Sequence, residues 1–317
     1  MLASIGFLLL GFLLLYGGGE WLVRGASNLA LRFGMSPFMV GMTIVAFATS
    51  APELAVSLQA ALSGVDDIAV GNVVGSNIAN IGLILGICAL LTPTVVRMRL
   101  IRIDLPWLIV ASGLLTAFLY DGGLTRLGGV ILLAGLAAFL IWNIRVGHPE
   151  QEEDEVKREF EGIVRPRVGA SVDVLLIMGG LVALVAGGAA FVHGGVDLAE
   201  ILGVPSAVIG LTVVAVGTSL PELATSIVAA RRGDADIAVG NVVGSNFFNI
   251  LAILGITATI QPLERGGITM LDMGVMMVFT AALLPLILVR RCIGRPEGAV
   301  LLAGYIAYVT WLVSNAL

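Results

Sequence analysis

Charge is what this sequence most conspicuously lacks. Only 12% of its 317 residues are Asp, Glu, Lys or Arg, whereas 58% are apolar and the mean hydropathy is +1.03. Soluble domains carry about 25% charged residues, so an ordinary water-soluble globule is excluded. Cysteine is nearly absent. Cys88 and Cys292 fall in different segments without metal-ligand spacing, and both are read as inert. The two histidines, His148 and His193, lie in a linker and near a span end, with no nucleophile arranged beside them. That counts against an enzyme. The first 15 residues hold no basic region and the apolar stretch runs on, so a cleaved signal peptide is not expected. The net charge of −5 is too modest to indicate a partner, and neither nucleic acid nor an organic cofactor is expected.

What remains is a series of apolar runs long enough to cross a bilayer as helices. Glycine, proline and polar breaks divide them into about ten spans near 3–31, 37–62, 67–92, 103–120, 124–146, 170–195, 205–230, 236–261, 269–289 and 298–316. Lys and Arg collect in cytoplasmic loops. An outside N-terminus puts 14 of the 17 basic residues in inner loops, so that orientation is expected. The one strongly hydrophilic stretch, 147–168, carries seven acids between Glu150 and Glu161 and is read as a solvated cytoplasmic linker. It lacks the glycine turn and alternating ligands of an EF-hand, so regulatory ion binding there has only weak support. It divides the chain into residues 1–146 and 169–317.

These two parts repeat one another. Gly41 to Gly86 aligns without a gap on Gly210 to Gly255, at a constant offset of 169, with 30 of 46 residues identical. Five spans separate equivalent points, and five is odd, so the second copy lies upside down relative to the first. Inverted repeats of this kind build transporters whose substrate site lies near the bilayer midplane. The fold expected is all-α: two inverted five-helix repeats, with spans two, three, seven and eight broken around that site.

Each copy carries one acid, Glu53 or Glu222, midway along an apolar span. A carboxylate at membrane depth costs several kcal/mol and is by default functional. Pro52 and Pro221 withhold an N–H from the preceding turn, and Thr49-Ser50 and Thr218-Ser219 add hydroxyls at the same place. The second repeated core, Gly71 to Asn77 and Gly240 to Asn246, is followed by Asn80 and Asn249. Ser76 shares a helical face with Asn80, and Ser245 with Asn249. The outer asparagines, Asn72, Asn77, Asn241 and Asn246, are expected mainly to bond helix to helix. All the gathered donors are oxygens, which favours hard cations over zinc, copper or nickel. Two carboxylates balance one Ca2+, or two to three Na+ over neighbouring sites. A filled cavity crosses the low-dielectric core more readily than an empty, doubly negative one, so exchange is favoured over leak. The glycine-rich stretches of spans one and six suggest helices that slide or rock. Glu20 and Arg24, four apart, suggest an anchoring pair.

The duplicated Thr-Ser-x-Pro-Glu and Gly-Asn-Val-Val-Gly-Ser-Asn elements resemble the alpha repeats of the calcium/cation antiporter superfamily, nearest its prokaryotic sodium/calcium exchanger branch. The resemblance covers essentially the whole chain and implies ten helices in two inverted halves. It puts ion-binding roles on Ala46, Thr49, Ser50, Glu53, Ser76 and Asn80, and on Ala215, Thr218, Ser219, Glu222, Ser245 and Asn249, the alanines through main-chain carbonyls. Some members, including potassium-dependent exchangers, have aspartate where this chain has Asn249. That departure favours potassium-independent exchange and leaves proton coupling open. The function expected is Na+/Ca2+ antiport by a monomer in the cell membrane. Proton/calcium exchange is the alternative, and a passive cation channel a lesser one.

Overall fold

The computed structural model describes residues 1–33, 35–96, 98–145, 169–201, 215–288 and 291–316. The acidic linker 147–168 and the first ten residues of the seventh expected span lie outside them. Helix fills the described part of every expected span. In chain order these are α1 (Leu2–Phe33), α2 (Phe38–Thr49), α3 (Ala51–Leu62), α4 (Asp66–Leu91), α5 (Leu100–Tyr120) and α6 (Arg126–Arg145). The second half supplies α7 (Ala170–Ile201), α8 (Ala215–Thr218), α9 (Leu220–Arg232), α10 (Ala235–Ile260), α11 (Met270–Leu288) and α12 (Arg295–Ala316). Seven of these are long and apolar enough to cross a membrane, and the bent pair α2–α3 makes an eighth. Backbone groups in lipid have no water to bond, and helices satisfy them internally.

Proline sets the breaks. Pro52 and Pro221 occupy the first turns of α3 and α9, where no N–H is needed, and each of these helices begins directly after a non-helical serine, Ser50 or Ser219. The chain turns by 42° between α2 and α3. The other two expected breaks take a different form. Helices α4 and α10 run on without interruption, and a π-helical turn widens each of them, at Asn80–Leu85 and Phe248–Ile253. No proline lies in either, so the helix absorbs one extra residue rather than stopping. Such turns concentrate at functional sites.

Helices α4 and α10 form the interior: 78% and 94% of their apolar windows are buried, against 28% for α1 and for α7. Helices α1 and α7 pack along one another with glycine at every seventh position, Gly11, Gly18 and Gly25 against Gly180, Gly187 and Gly194. A Cβ on any of the six would stand 2.6–2.9 Å from main-chain atoms of the opposite helix, so only glycine permits this approach. Of the expected glycines, Gly17 has open space beside it, Gly19 faces α9, and Gly188 lies near Gly217.

Two short antiparallel strand pairs join the halves. Thr94–Val95 pairs with Cys292–Ile293, and Gly123–Leu124 with Leu263–Glu264, and the two pairs are related by the same offset of 169. Polar contacts at one end of α1 lack that symmetry. Buried Asp173 accepts from Asn28 Nδ2 at 2.8 Å and from Arg32 Nε at 2.5 Å. Ser27 donates to Asp234 at 3.2 Å, and partial burial holds the Asp234 carboxyl above the usual aspartate range. Glu20 corrects the sequence expectation: it pairs with Arg232, 212 residues away, rather than with Arg24. Tertiary packing brings Arg232, at the end of α9, closer to it than the local i,i+4 partner.

Candidate ion-binding site

The broken segments meet the two interior helices at the centre of the molecule. Glu53 and Glu222, each in the first turn after its break, are only 1% exposed. Ser50 Oγ donates to Glu222 Oε1 at 3.3 Å, linking the break of one half to the acid of the other.

Asparagine holds this arrangement together. Asn72 Nδ2 donates to the Glu53 main-chain carbonyl at 3.2 Å and to Ser57 Oγ at 3.0 Å. Its counterpart Asn241 donates to the Glu222 carbonyl at 3.5 Å and to Ser226 Oγ at 3.0 Å. The remaining oxygens of these two amides reach across the molecule. Thr49 Oγ1 donates to Asn241 Oδ1 at 3.2 Å, and Thr218 Oγ1 to Asn72 Oδ1 at 3.3 Å. Each amide therefore ties a broken helix to an interior helix of its own half and to the break of the other. Ser57 and Ser226 belong to this frame and were not among the sequence candidates; both lie four residues after the glutamates, on the same helical face.

Deeper in, Asn80 Nδ2 donates to Asn246 Oδ1 at 2.9 Å, and Asn249 Nδ2 to Asn77 Oδ1 at 3.2 Å. The amide oxygens of Asn80 and Asn249 are left with no partner in the protein although both residues are 1% exposed. Glu53 Oε2, Glu222 Oε2 and Ser245 Oγ share that condition. An unpartnered buried polar atom costs about 1–3 kcal/mol, more when charged. Five such oxygens on five candidate residues, two of them carboxylates, are the arrangement expected around a desolvated cation. Two further buried hydroxyls on these central helices, Thr225 Oγ1 and Thr257 Oγ1, are also unpartnered.

The other candidates lie in or against the same frame. Ser76 accepts from Ser219 Oγ at 3.3 Å. The Ala46 carbonyl accepts from the Ser50 N–H at 3.0 Å and from Thr49 Oγ1 at 3.3 Å, so protein donors already engage it. Ala215 opens α8, and its side chain lies outside the described set. Among the described residues no group of three or more His, Cys, Asp or Glu gathers. The donors here are two carboxylates and neutral oxygens, a hard-cation set. All four outer asparagines bond helix to helix, as expected for them.

Comparison with known proteins carries this further. The family model described as sodium/calcium exchanger protein matches residues 3–145 and again 172–314, two segments displaced by 169. CaxA of Alkalimonas amylolytica is 40% identical over 320 residues, covering 99% of this chain and 100% of that protein. The sodium/calcium exchanger MaX1 of Methanosarcina acetivorans is 34% identical over 343 residues, covering 96% and 97%. A structure of the sodium-calcium exchanger NCX_Mj, soaked with 2.5 mM Na+ and 0.1 mM Ca2+, superposes with a TM-score of 0.82 at 31% identity, over 97% of each chain.

Proposed function

Because this chain belongs to the sodium/calcium exchanger protein family, we propose that it is a secondary active antiporter that exchanges Na+ for Ca2+ by alternating access. One observation carries the reading: five unpartnered, buried oxygens on Glu53, Glu222, Asn80, Asn249 and Ser245. Calcium takes six to eight oxygens in a flexible shell. The hydroxyls of Ser50, Thr49, Ser76, Thr218 and Ser219 supply further lone pairs at the same place, and the remaining candidates are the Ala215 carbonyl and the Ala46 carbonyl, the latter once the Ser50 N–H or the Thr49 hydroxyl releases it. The carboxylates match the charge of one Ca2+ and, spread over neighbouring positions, of two or more Na+. Ions are substrates here, and no organic cofactor enters the reading.

The architecture in this proposal is ten membrane-crossing helices in two inverted halves, residues 1–146 and 169–317, joined by the cytoplasmic linker 147–168. The N-terminus is outside and the chain works as a monomer in the cell membrane. Gapless repetition supports the halves, and the distribution of basic residues supports the orientation. The close glycine contact between α1 and α7 supports a pair that moves as a unit across the site's two sides.

The test is Ca2+ uptake into everted vesicles driven by a Na+ gradient, with the proton gradient collapsed. Uptake that follows the Na+ gradient is expected. Uptake that ignores Na+ and follows a pH gradient would replace this reading with proton/calcium exchange, and currents far above transporter rates would replace it with a channel.

A further inference from the structure

The two orphaned amide oxygens, on Asn80 and Asn249, raise a question of direction. An asparagine amide has a donating and an accepting end of nearly equal size, and only the accepting end serves a cation. Something must hold each amide the right way round. The hydrogen bonds supply it in two short chains that run in one direction. In the first, Asn246 Nδ2 donates to the main-chain carbonyl of Asn77 at 3.3 Å. A carbonyl only accepts, so Asn246 must turn its oxygen towards Asn80. Asn80 must then present its NH2 to Asn246, at 2.9 Å, which leaves its own oxygen over. In the second, Asn77 Nδ2 meets Met276 Sδ at 3.9 Å. A thioether also only accepts. Asn77 therefore turns its oxygen towards Asn249, whose NH2 it receives at 3.2 Å, and the Asn249 oxygen is left over.

We propose that Asn77, Asn246 and Met276 are positioning residues: they touch no ion, and they set the polarity of the Asn80 and Asn249 amides so that oxygen rather than NH2 faces the cation. The two halves reach this result with different anchors. Met276 lies at the position that Trp107 holds in the first half, and a main-chain carbonyl takes its part in the other chain. The inference rests on the site reading above, and adds that each ligand asparagine depends on one particular partner from the opposite half.

The dependence is testable because aspartate has no wrong end: both its oxygens accept. The measurement is Ca2+ affinity of the purified full chain by calorimetry, with the melting temperature read in parallel. Asn77→Leu, close in shape but unable to accept, is expected to weaken Ca2+ binding about tenfold or more, the usual loss when a ligand's orienting partner is removed. Asn80→Asp should leave that penalty in place, whereas Asn249→Asp should shrink it below about threefold or reverse it. Asn246→Leu should show the opposite pattern, relieved by Asn80→Asp and not by Asn249→Asp. Met276→Leu should act like a milder Asn77→Leu and be relieved by the same aspartate. A leucine variant that does not insert is replaced by alanine, and the mirror cycle stands on its own. An equal penalty in every background, tracking the melting temperature, would show a structural role and overturn the proposal. Should Asn80→Asp and Asn249→Asp leave Ca2+ affinity untouched, and Glu53→Gln bind as before, the site reading itself falls and takes the proposal with it.

Discussion

The two halves of the site agree in one set of contacts and differ in another. Asn72 and Asn241 make the same two donations and receive from equivalent threonines, at distances within 0.3 Å of one another. The serines at the breaks do not match. Ser50 reaches across to Glu222, while its counterpart Ser219 bonds to Ser76 and leaves Glu53 without the corresponding donor. The residues flanking the two serines differ, Ala48 and Ala51 in the first half against Gly217 and Leu220 in the second, so a local difference in sequence accompanies the mismatch. The asparagine–threonine contacts are the frame, and the serines at the breaks are the parts that take different positions within it.

The largest effect is expected where both halves must contribute equally. Glu53→Gln and Glu222→Gln should each abolish Ca2+ transport in vesicles while insertion stays intact; retained exchange in either would mean that the acids are not equivalent partners. Next comes the frame. Asn241→Ala takes a partner from the Ser226 hydroxyl, the Glu222 carbonyl and the Thr49 hydroxyl, which keeps Ala46, and should cost about 3 kcal/mol in thermal unfolding. Asn72→Ala should cost somewhat less, because Asn72 is only partly buried. A negligible loss in both would remove the frame from the comparison. The serines should separate more finely. Ser50→Ala is expected to weaken Ca2+ binding about tenfold more than Ser219→Ala, because of the two only Ser50 touches a carboxylate, and the difference is about what one hydrogen bond to a charge contributes. Equal effects would make the mismatch incidental. The smallest effect is expected at the edge. Arg232 and Glu20 are about one-third exposed, and Arg232→Ala should lower stability by less than about 1 kcal/mol.

Much of this was readable from the sequence because it rests on local chemistry. Apolar runs announce the helices, Pro52 and Pro221 announce the breaks, and an acid in an apolar span announces a site. Asn72 and Asn77 look alike in sequence, yet the Asn72 NH2 donates within its own half, to Glu53 and Ser57, and the Asn77 oxygen receives Asn249 from the opposite half, 172 residues away. Only the packed molecule separates such roles. The same holds for Met276, an apolar residue in an apolar helix, and for Glu20, whose spacing to Arg24 suggested the wrong partner. The seven-residue glycine spacing of α1 and α7 was in plain view. Clusters such as Gly17-Gly18-Gly19 obscured it, since of those three only Gly18 meets the other helix.

That spacing limits how far the two helices can slide past one another. Seven residues of helix span about 10.5 Å, and at any offset well short of that, side chains would stand where glycines now admit backbone. The next equally comfortable register is thus a third of a bilayer away, too long a step for a barrier meant to stay watertight. Sliding between them is confined to a few ångströms either side of the present seating, so any larger excursion is one they make together, as a single stiff shutter.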